Sequence, residues 1–252
     1  MPLPVPAVIR ADIYLVQHGL IETRAKAQEA ISAGKVSVDG VVISKPSHKI
    51  AAGADVIAEP AHPYVSRAAL KLVAGLDQFE INPSGRVCLD VGSSTGGFSE
   101  VLLERGAARV YAVDVGHDQL HPRLRAEARI VSLEGVDART LTADYFGEAP
   151  SLVVCDASFI SLPKVIAAAL ALAAPQADLI ALIKPQFEVG KASVGRGGLV
   201  KSPVERQRAV SEVRAALDGF EGFVVRAVIE SPIKGGDGNQ EYLIAAHRDV
   251  QP

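Results

Sequence analysis

Short apolar runs alternate with segments of helical periodicity from residue 86 onward, and this alternation constrains the fold more than any other feature of the chain. Strands that alternate with helices predict a parallel sheet covered by helices. A helix over about 203–217 is followed by two more strand-like runs. We therefore predict an α/β, Rossmann-like domain with a mostly parallel seven-stranded sheet whose last two strands form an antiparallel edge. The predicted strands lie at 87–91, 110–113, 130–133, 152–155, 179–183, 222–229 and 241–246.

The N-terminal part of the chain lacks this alternation. Two short helices are predicted there, over 11–18 and over 23–33, with Thr23 as the cap of the second. Asp39-Gly40 between two β-prone runs predicts a hairpin. Prolines and a histidine then break the periodicity, and Ser66 is expected to cap a helix through Phe79. We expect a small α+β domain over 1–62, a linker near 58–65 and the larger domain over 63–252.

Composition excludes several classes of protein. Apolar residues make up 48% of the chain and charged residues 22%, which is the balance of a soluble globular protein. The longest apolar run, 165–174, is half of the ~20 residues that a membrane-spanning helix needs. The N-terminus lacks the features of a secretory signal, so a cytoplasmic location is expected. Cys88 and Cys155 lie in predicted strands, and neither a disulfide nor a metal site is expected.

A glycine-rich turn follows the first predicted sheet strand in the segment Leu-Asp-Val-Gly-Ser-Ser-Thr-Gly-Gly-Phe from residue 89. The carboxyl end of such a strand is where open α/β sheets bind cofactors. Ser94 replaces the second glycine of the dinucleotide fingerprint, and no Gly-Lys-Ser/Thr of a P-loop follows. The turn is therefore interpreted as a site for S-adenosylmethionine. Its candidate binding residues are Asp90, Gly92, Ser93, Ser94, Thr95, Gly96, Gly97 and Phe98.

Further acidic residues follow the next strands. Asp114 ends the second strand, where an acidic side chain can accept hydrogen bonds from ribose hydroxyls. Asp137 follows the third strand, in a position suited to the adenine amino group. Each residue alone is as well explained as a helix cap or a turn residue. Asp90, Asp114 and Asp137 occupy corresponding positions near the ends of the first three predicted strands, and together they favour a role in cofactor binding.

Two polar residues end the fourth and fifth predicted strands. Asp156 follows Val-Val-Cys, and Lys184 follows Ala-Leu-Ile. A charged residue at the tip of an apolar strand faces either solvent or the crevice where ligands bind. Asp156 and Lys184 are therefore candidates for the same site.

The turn at Asp90, the segment Cys-Asp-Ala-Ser-Phe-Ile-Ser-Leu from residue 155 and the segment Lys-Pro-Gln-Phe-Glu-Val-Gly-Lys from residue 184 closely resemble the TlyA family. Members of that family are known as haemolysins or as ribosomal RNA 2′-O-methyltransferases. The resemblance covers essentially the whole chain, with an S4-type RNA-binding module at about 8–60 and an FtsJ-like, class I methyltransferase domain after it. It implies methyl transfer from S-adenosylmethionine to cytidine in ribosomal RNA, and ribosomal RNA or ribosomal subunits as partners, with no DNA or membrane partner.

FtsJ-like enzymes carry a Lys-Asp-Lys-Glu tetrad, and the matching residues here are Lys71, Asp156, Lys184 and Glu241. The segment Ser-Arg-Ala-Ala-Leu-Lys departs from the family, which often has two glycines in place of the alanines. A ribose 2′-hydroxyl must lose its proton as it attacks, and a lysine held neutral by burial or by another cation can act as the base. The resemblance implies that Lys184 is this base, that Lys71 and Glu241 orient it, and that Asp156 holds the network.

The basic residues expected to bind RNA are few. Residues 1–66 contain as many acidic as basic side chains, and the whole chain has a net charge of −3, so the fold resemblance rather than charge carries this assignment. In the N-terminal module the candidates are Arg10, Arg24, Lys26 and Lys35. After Lys184 a long glycine-rich loop contributes Lys191 and Arg196, and we expect it to become ordered on RNA.

Three alternative functions remain open on sequence alone. A membrane-lytic protein is suggested by the haemolysin names, but no spanning segment or strongly basic amphipathic helix supports it. A small-molecule methyltransferase would have no use for an RNA-binding module, and a binding protein with an inactive site would not keep the tetrad. The short segment after the last predicted strand resembles the family type that modifies only large-subunit RNA, and a large-subunit target is therefore expected.

Overall fold

The computed structural model describes residues 8–250. The N-terminal segment in which no secretory signal is expected lies outside these residues. The chain divides into two compact units, of which unit 1 ends at Pro63 and unit 2 begins at Tyr64. Within residues 8–250 no helix combines the length and the apolar character needed to cross a bilayer.

Over its described residues, 8–63, unit 1 is a small α+β domain with two helices and five short strands. Its elements are β1 (Ile9–Arg10), α1 (Ala11–Gln17), α2 (Arg24–Ser32), β2 (Val36–Val38), β3 (Val41–Val42), β4 (Lys49–Ile50) and β5 (Val56–Ala58). Strand β2 pairs antiparallel with both β3 and β5, and β1 pairs with β4. The apolar faces of α1 and α2 share one core with these strands, centred on Leu15, Ile31 and Ile50.

The local signals in unit 1 act as predicted. Thr23 caps α2 by accepting a hydrogen bond from the backbone N–H of Lys26 at 3.3 Å. Asp39 and Gly40 both have positive φ angles, 50° and 77°, which is the conformation that a two-residue hairpin turn requires.

Unit 2 is a seven-stranded sheet covered by helices. Its elements are α3 (Ala69–Gln78), β6 (Val87–Val91), α4 (Gly97–Glu104), β7 (Arg109–Asp114), α5 (Pro122–Arg125), β8 (Ile130–Glu134), β9 (Leu152–Cys155), α6 (Leu162–Ala171), β10 (Gln176–Ile183), α7 (Pro185–Glu188), α8 (Pro203–Leu217), β11 (Phe223–Glu230) and β12 (Tyr242–Asp249). The strand order is β11-β12-β10-β9-β6-β7-β8. The five strands from β10 to β8 are parallel, while β12 runs antiparallel to β10 and to β11. The predicted α/β, mostly parallel sheet is confirmed.

The two faces of the sheet are buried by different helices. Strand β10 shows this, because Leu179, Ala181 and Ile183 pack in the core that includes α6 and α8. The alternate residues Ile180 and Leu182 pack in the core beneath α3 and α4. A strand that is buried on both faces reads as a continuous apolar run rather than an alternating one, which is why the sequence predicted these strands well.

Helix α3 begins later than predicted. Ser66 does not cap it, since the helix starts at Ala69 and its N-cap, Ala68, makes no side-chain hydrogen bond. The backbone N–H groups of Ala69, Leu70 and Lys71 instead bond to carbonyls three residues earlier, which makes residues 66–68 a tight turn. The hydroxyl of Ser66 accepts a hydrogen bond from Ala68 N within that turn, at 3.2 Å.

Candidate active site

The four residues of the predicted tetrad come together in unit 2 at the carboxyl edge of the parallel strands. Asp156 follows β9 and Lys184 follows its neighbour β10, so the parallel register places them side by side. Glu241 immediately precedes β12, which is antiparallel to β10 and therefore begins at the same edge. Lys71 reaches this edge from the first turn of α3.

The tetrad forms an alternating chain of charges. Lys71 Nζ lies 2.5 Å from Glu241 Oε2 and 4.0 Å from Asp156 Oδ2, and Lys184 Nζ lies 2.6 Å from Asp156 Oδ1. Lys71, Lys184 and Glu241 are all buried. Two lysines and two carboxylates have no net charge, so each buried charge is compensated by a neighbour of opposite sign.

Lys184 has more partners than the sequence indicated. Its Nζ donates to the backbone oxygen of Asp156 at 3.0 Å and to the hydroxyl of Ser158 at 2.8 Å, besides the ion pair with the Asp156 carboxylate. Two hydrogen bonds and one ion pair therefore fix the position of the ammonium group. Ser158 lies in the quoted run Asp-Ala-Ser-Phe, where its spacing of two residues from Asp156 was the available signal.

Two cavities open beside the tetrad. The larger, of about 470 Å³, has apolar walls that include Val113, Val136 and Ile160, and it exposes Asp114, Asp137 and Asp156. The smaller, of about 190 Å³, is lined by Lys184 and by most of the glycine-rich turn: Gly92, Ser93, Ser94, Thr95, Gly97 and Phe98. Gly92, Ser94, Asp156 and Ser158 border both cavities, which are therefore contiguous parts of one cleft.

The turn after β6 is shaped for close approach of the backbone. Gly92 has a φ of +79°, and a Cβ there would lie 2.8 Å from the Cα of Ala157. Gly96 also has a positive φ, of +95°, and a Cβ there would collide with Leu124. Gly92 therefore lines the cleft, whereas Gly96 serves the turn and lines neither cavity.

The acidic residues expected to hold a cofactor differ in their surroundings. Asp114 accepts hydrogen bonds from the backbone N–H groups of Ser94 at 2.8 Å and Gly116 at 2.7 Å. A carboxylate has about four acceptor positions, so Asp114 retains capacity towards the larger cavity. Asp137 accepts from the Nε and backbone N of Arg139, each at 3.0 Å, and these bonds lower its pKa to about 2.

Asp90 does not line either cavity. Its carboxylate is fully buried under the glycine-rich turn and accepts a hydrogen bond from the Ser99 hydroxyl at 2.7 Å, while Oδ1 has no partner among the described residues. Burial raises the pKa of Asp90 to about 7. The structure therefore places Asp90 behind the turn, where it supports α4 through Ser99.

Phe159 is a residue that the sequence analysis did not single out. Its side chain is 91% exposed at the border of the larger cavity, and its φ is +66°, a left-handed value rare for a bulky residue. Its ring lies 5.3 Å from that of Phe187, which follows Lys184 by three residues. Strained backbone that persists beside a catalytic cleft commonly serves function. The signal was an aromatic residue directly after the run Asp-Ala-Ser that follows β9.

The basic residues of unit 1 are largely engaged with acidic ones. The carboxylate of Asp12 is fully buried and accepts from Arg10 at 3.0 Å and from Arg24 and Gln28 at 2.9 Å. These bonds lower the pKa of Asp12 strongly. Lys26 pairs with Glu22 at 2.6 Å and Lys35 with Glu59 at 3.5 Å. Arg10 and Arg24 are thus fixed by one carboxylate, with parts of both guanidinium groups left exposed.

The glycine-rich loop after Lys184 already has a defined structure. Val189 and Val200 at its two ends are buried against Ala209 of α8, with Val194 packed on them. Lys191 and Arg196 are exposed on this loop. The structure does not bring these two side chains into the tetrad.

Comparison with known proteins assigns the chain to a family. The family model described as FtsJ-like methyltransferase matches residues 64–248, and the S4 domain model matches residues 9–56. The chain belongs to the FtsJ-like methyltransferase family. The predicted resemblance is confirmed, and unit 2 is the FtsJ-like unit.

Several known proteins match the chain over most of its length. The chain is 46% identical to the 16S/23S rRNA (cytidine-2′-O)-methyltransferase TlyA of Mycobacterium tuberculosis, over 93% of this chain and 88% of that protein. It is 40% identical to Hemolysin A of Brachyspira hyodysenteriae, over 93% of this chain and 98% of that protein. A protein from Streptococcus thermophilus whose structure was solved under a hemolysin name superposes with a TM-score of 0.76, at 36% identity, and the match covers 98% of this chain and 91% of that one.

Proposed function

We propose that this protein transfers a methyl group from S-adenosylmethionine to the ribose 2′-hydroxyl of a cytidine in ribosomal RNA. The observation that carries the proposal is the assembled tetrad, in which Lys184 and Asp156 pair at 2.6 Å beside a cleft bordered by the glycine-rich turn. The name of the relative from Mycobacterium tuberculosis, 46% identical, supports the choice of cytidine in ribosomal RNA.

The cleft fits S-adenosylmethionine. Asp114, with spare acceptor capacity, would bind the ribose hydroxyls, and Asp137 would meet the adenine amino group against apolar walls. The glycine-rich turn lines the smaller cavity, where its backbone would meet the methionine part. The bound cofactor supplies a methyl group made electrophilic by the sulfonium sulfur.

Lys184 is the residue to which we assign the proton of the 2′-hydroxyl. The amine form of Lys184 Nζ takes that proton as the ribose oxygen attacks. The ammonium group so formed is stabilised by the acceptors around it. Asp156 O and the Ser158 hydroxyl accept hydrogen bonds from it, and the Asp156 carboxylate pairs with its charge at 2.6 Å. Lys71 and Glu241 hold Asp156 from the other side, so that the base is positioned before substrate arrives.

Phe159 is placed to hold the target base. An exposed ring at the border of the cleft offers a face on which a base taken out of its stack can lie, and such stacking contributes about 1–3 kcal/mol. Phe187 at 5.3 Å supports the ring from behind. In unit 1 we propose that Arg10, Arg24, Lys26 and Lys35 contact RNA phosphates, with Asp12 fixing the two arginines.

The decisive experiment is tritium transfer from labelled S-adenosylmethionine into ribosomal subunits from a strain that lacks the gene. Wild-type protein should label ribosomal RNA at a cytidine 2′-oxygen, with the large subunit as the expected target and the small subunit assayed in parallel. Lys184→Ala should transfer no methyl group while binding the cofactor within about twofold of wild type.

Two results would contradict the proposal. Absence of label in both subunits and in free ribosomal RNA, despite measurable cofactor binding, would point to a different methyl acceptor. Undiminished transfer by Lys184→Ala would remove Lys184 from the mechanism.

A further inference from the structure

Asn239 is a buried amide that neither the tetrad nor the cleft accounts for. Its side chain is only 2% exposed. Its Oδ1 accepts a hydrogen bond from the backbone N–H of Val200 at 2.9 Å, and its Nδ2 donates to the backbone oxygen of Gly198 and to Asp237 Oδ2, both at 2.8 Å. Both donors and one acceptor position of the amide are therefore used.

Two of the three partners of Asn239, Gly198 and Val200, lie on the glycine-rich loop, defined here as residues 190–201. The amide bonds to one N–H and one C=O near the end of this loop, as a neighbouring strand would. The loop carries three exposed cations, Lys191, Arg196 and Lys201, while its ends are held by the small core of Val189 and Val200. Asn239 is thus one of two polar attachments of the loop, since Arg206 Nη1 also donates to the backbone oxygens of Val200 at 3.1 Å and Lys201 at 2.8 Å.

Asn239 also lies close in sequence to the catalytic residues. It precedes Glu241 by two residues, and the glycine-rich loop begins six residues after Lys184. Gln186 Nε2 donates to Asp237 Oδ2 at 3.1 Å, and Asp237 Oδ1 accepts from Asn239 N at 3.0 Å. The segments that follow Lys184 and precede Glu241 are therefore joined by side-chain hydrogen bonds just outside the tetrad.

We propose that Asn239 is a positioning residue that holds the glycine-rich loop in a fixed conformation before RNA binds. In that conformation the exposed cations of the loop contact the RNA backbone next to the target ribose. This inference rests on the proposed function. A loop held before binding loses less conformational entropy when it meets phosphates, so the attachment should increase RNA affinity without touching the cofactor. The ligand class is a phosphodiester backbone, since the exposed charges are all positive and exposed cations are what bind phosphates.

Asparagine is required because the position needs a donor and an acceptor at one side-chain end. Asn239→Asp keeps the size of the side chain and an acceptor oxygen but removes both N–H donors. It also brings a second carboxylate next to that of Asp237, whose Oδ2 lies 2.8 Å from Asn239 Nδ2. Asn239→Ala removes the whole amide. Asn82→Ala is the matched control, because Asn82 is exposed and lies in the loop before β6, away from these contacts.

Limited trypsin digestion of the full chain tests the attachment directly, since the loop contains three trypsin sites at Lys191, Arg196 and Lys201. Both Asn239 variants should be cleaved in the loop about tenfold faster than wild type, with cleavage elsewhere unchanged. In methyl transfer to ribosomal RNA they should raise KM for RNA about tenfold while the Kd for S-adenosylmethionine stays within twofold. Asn82→Ala should match wild type in all three measurements.

The proposal is overturned if loop cleavage and KM for RNA of Asn239→Asp equal those of wild type, or if cofactor affinity falls in parallel with RNA affinity. Faster cleavage with unchanged KM for RNA also overturns it, because the loop would then be attached for stability alone. Failure of the proposed function gives a different result: wild type itself would transfer no methyl group to ribosomal RNA. In that case RNA binding by filter retention replaces KM in the same comparison.

Discussion

Lys71 Nζ lies 2.5 Å from Glu241 Oε2, and this contact joins residues 170 positions apart in the chain. It links the first turn of α3 to the residue that precedes β12, so the first and last elements of the FtsJ-like unit meet inside the catalytic site. Both side chains are buried, and neither charge can be left alone without a large loss of stability.

Glu241→Leu should therefore destabilise the protein by about 3 kcal/mol or more, because it leaves the Lys71 ammonium buried with only the more distant Asp156. Lys71→Met combined with Glu241→Leu should recover most of that loss and remain without methyl transfer. Urea unfolding measures the stabilities. If the free energy of unfolding of Glu241→Leu lay within about 0.5 kcal/mol of the wild-type value, the Lys71–Glu241 ion pair would not be isolated from water.

Phe159→Gly should separate stability from activity. The left-handed backbone of Phe159 costs roughly 1–2 kcal/mol in an L-residue, so glycine should leave the melting temperature equal to or above that of wild type. Loss of the ring should lower kcat/KM for RNA by about 10- to 100-fold. Phe159→Tyr keeps the ring face and should retain most of the activity. Full activity of Phe159→Gly would exclude stacking on this side chain.

Asp90 should make stability depend on pH. Burial raises its folded-state pKa to about 7 from the ordinary value of 3.8, so the folded protein binds a proton that the unfolded chain has released between these pH values. The favourable contribution of protonated Asp90 is complete below about pH 4 and is lost as the pH rises to about 7. Asp90→Asn cannot ionise and should gain stability relative to wild type as the pH rises.

Thermal melts of wild type and Asp90→Asn at pH 4, 5.5, 7 and 8 test this dependence. The difference in melting temperature should grow by at least about 3 °C between the lowest and highest pH. A constant difference would mean that Asp90 titrates alike in the folded and unfolded chains.

The exposed cations of the glycine-rich loop should contribute to the salt dependence of RNA binding. Replacing Lys191 and Arg196 together with alanine should weaken binding and reduce the slope of log affinity against log salt by about 1.4–1.8. Arg208→Ala is the control, because Arg208 on α8 is already paired with Glu205 at 2.7 Å and Glu212 at 2.9 Å. If the double variant kept the wild-type slope of log affinity against log salt, RNA would not contact Lys191 or Arg196.

Much of the fold followed from the sequence because local signals and burial agreed. Strands β6 and β9 have the predicted bounds, since both are buried on both faces and apolar except for Asp90 in β6. Strand β10 begins three residues earlier than predicted, at Gln176, because polar residues hid its start. Asp178 can lie within that strand only because Arg86 pairs with it at 2.7 Å and His247 at 2.8 Å, and distant partners leave no local signal.

The site was less completely predictable than the fold. The family resemblance identified the four tetrad residues in the sequence. Which of them contact each other depends on the order of the strands in the sheet, which the sequence does not show. The placement of Asp90 follows from strand alternation: Cys88, two residues earlier, faces the core under α3 and α4, so Asp90 on the same side meets Ser99 of α4. The contacts of Asn239 with backbone groups of the glycine-rich loop have no sequence pattern.

The position of β12 bears on how the protein is made. This strand is synthesised after all the others in the described chain, yet it lies between β10 and β11 and follows directly on Glu241. A nascent chain that has emerged only through β11 has β10 with an unpaired edge and Lys71 without its carboxylate. The N-terminal unit has its whole core by then and can fold first. Under the proposed function, the tetrad is therefore completed only by the last described strand, after the S4 domain has its core.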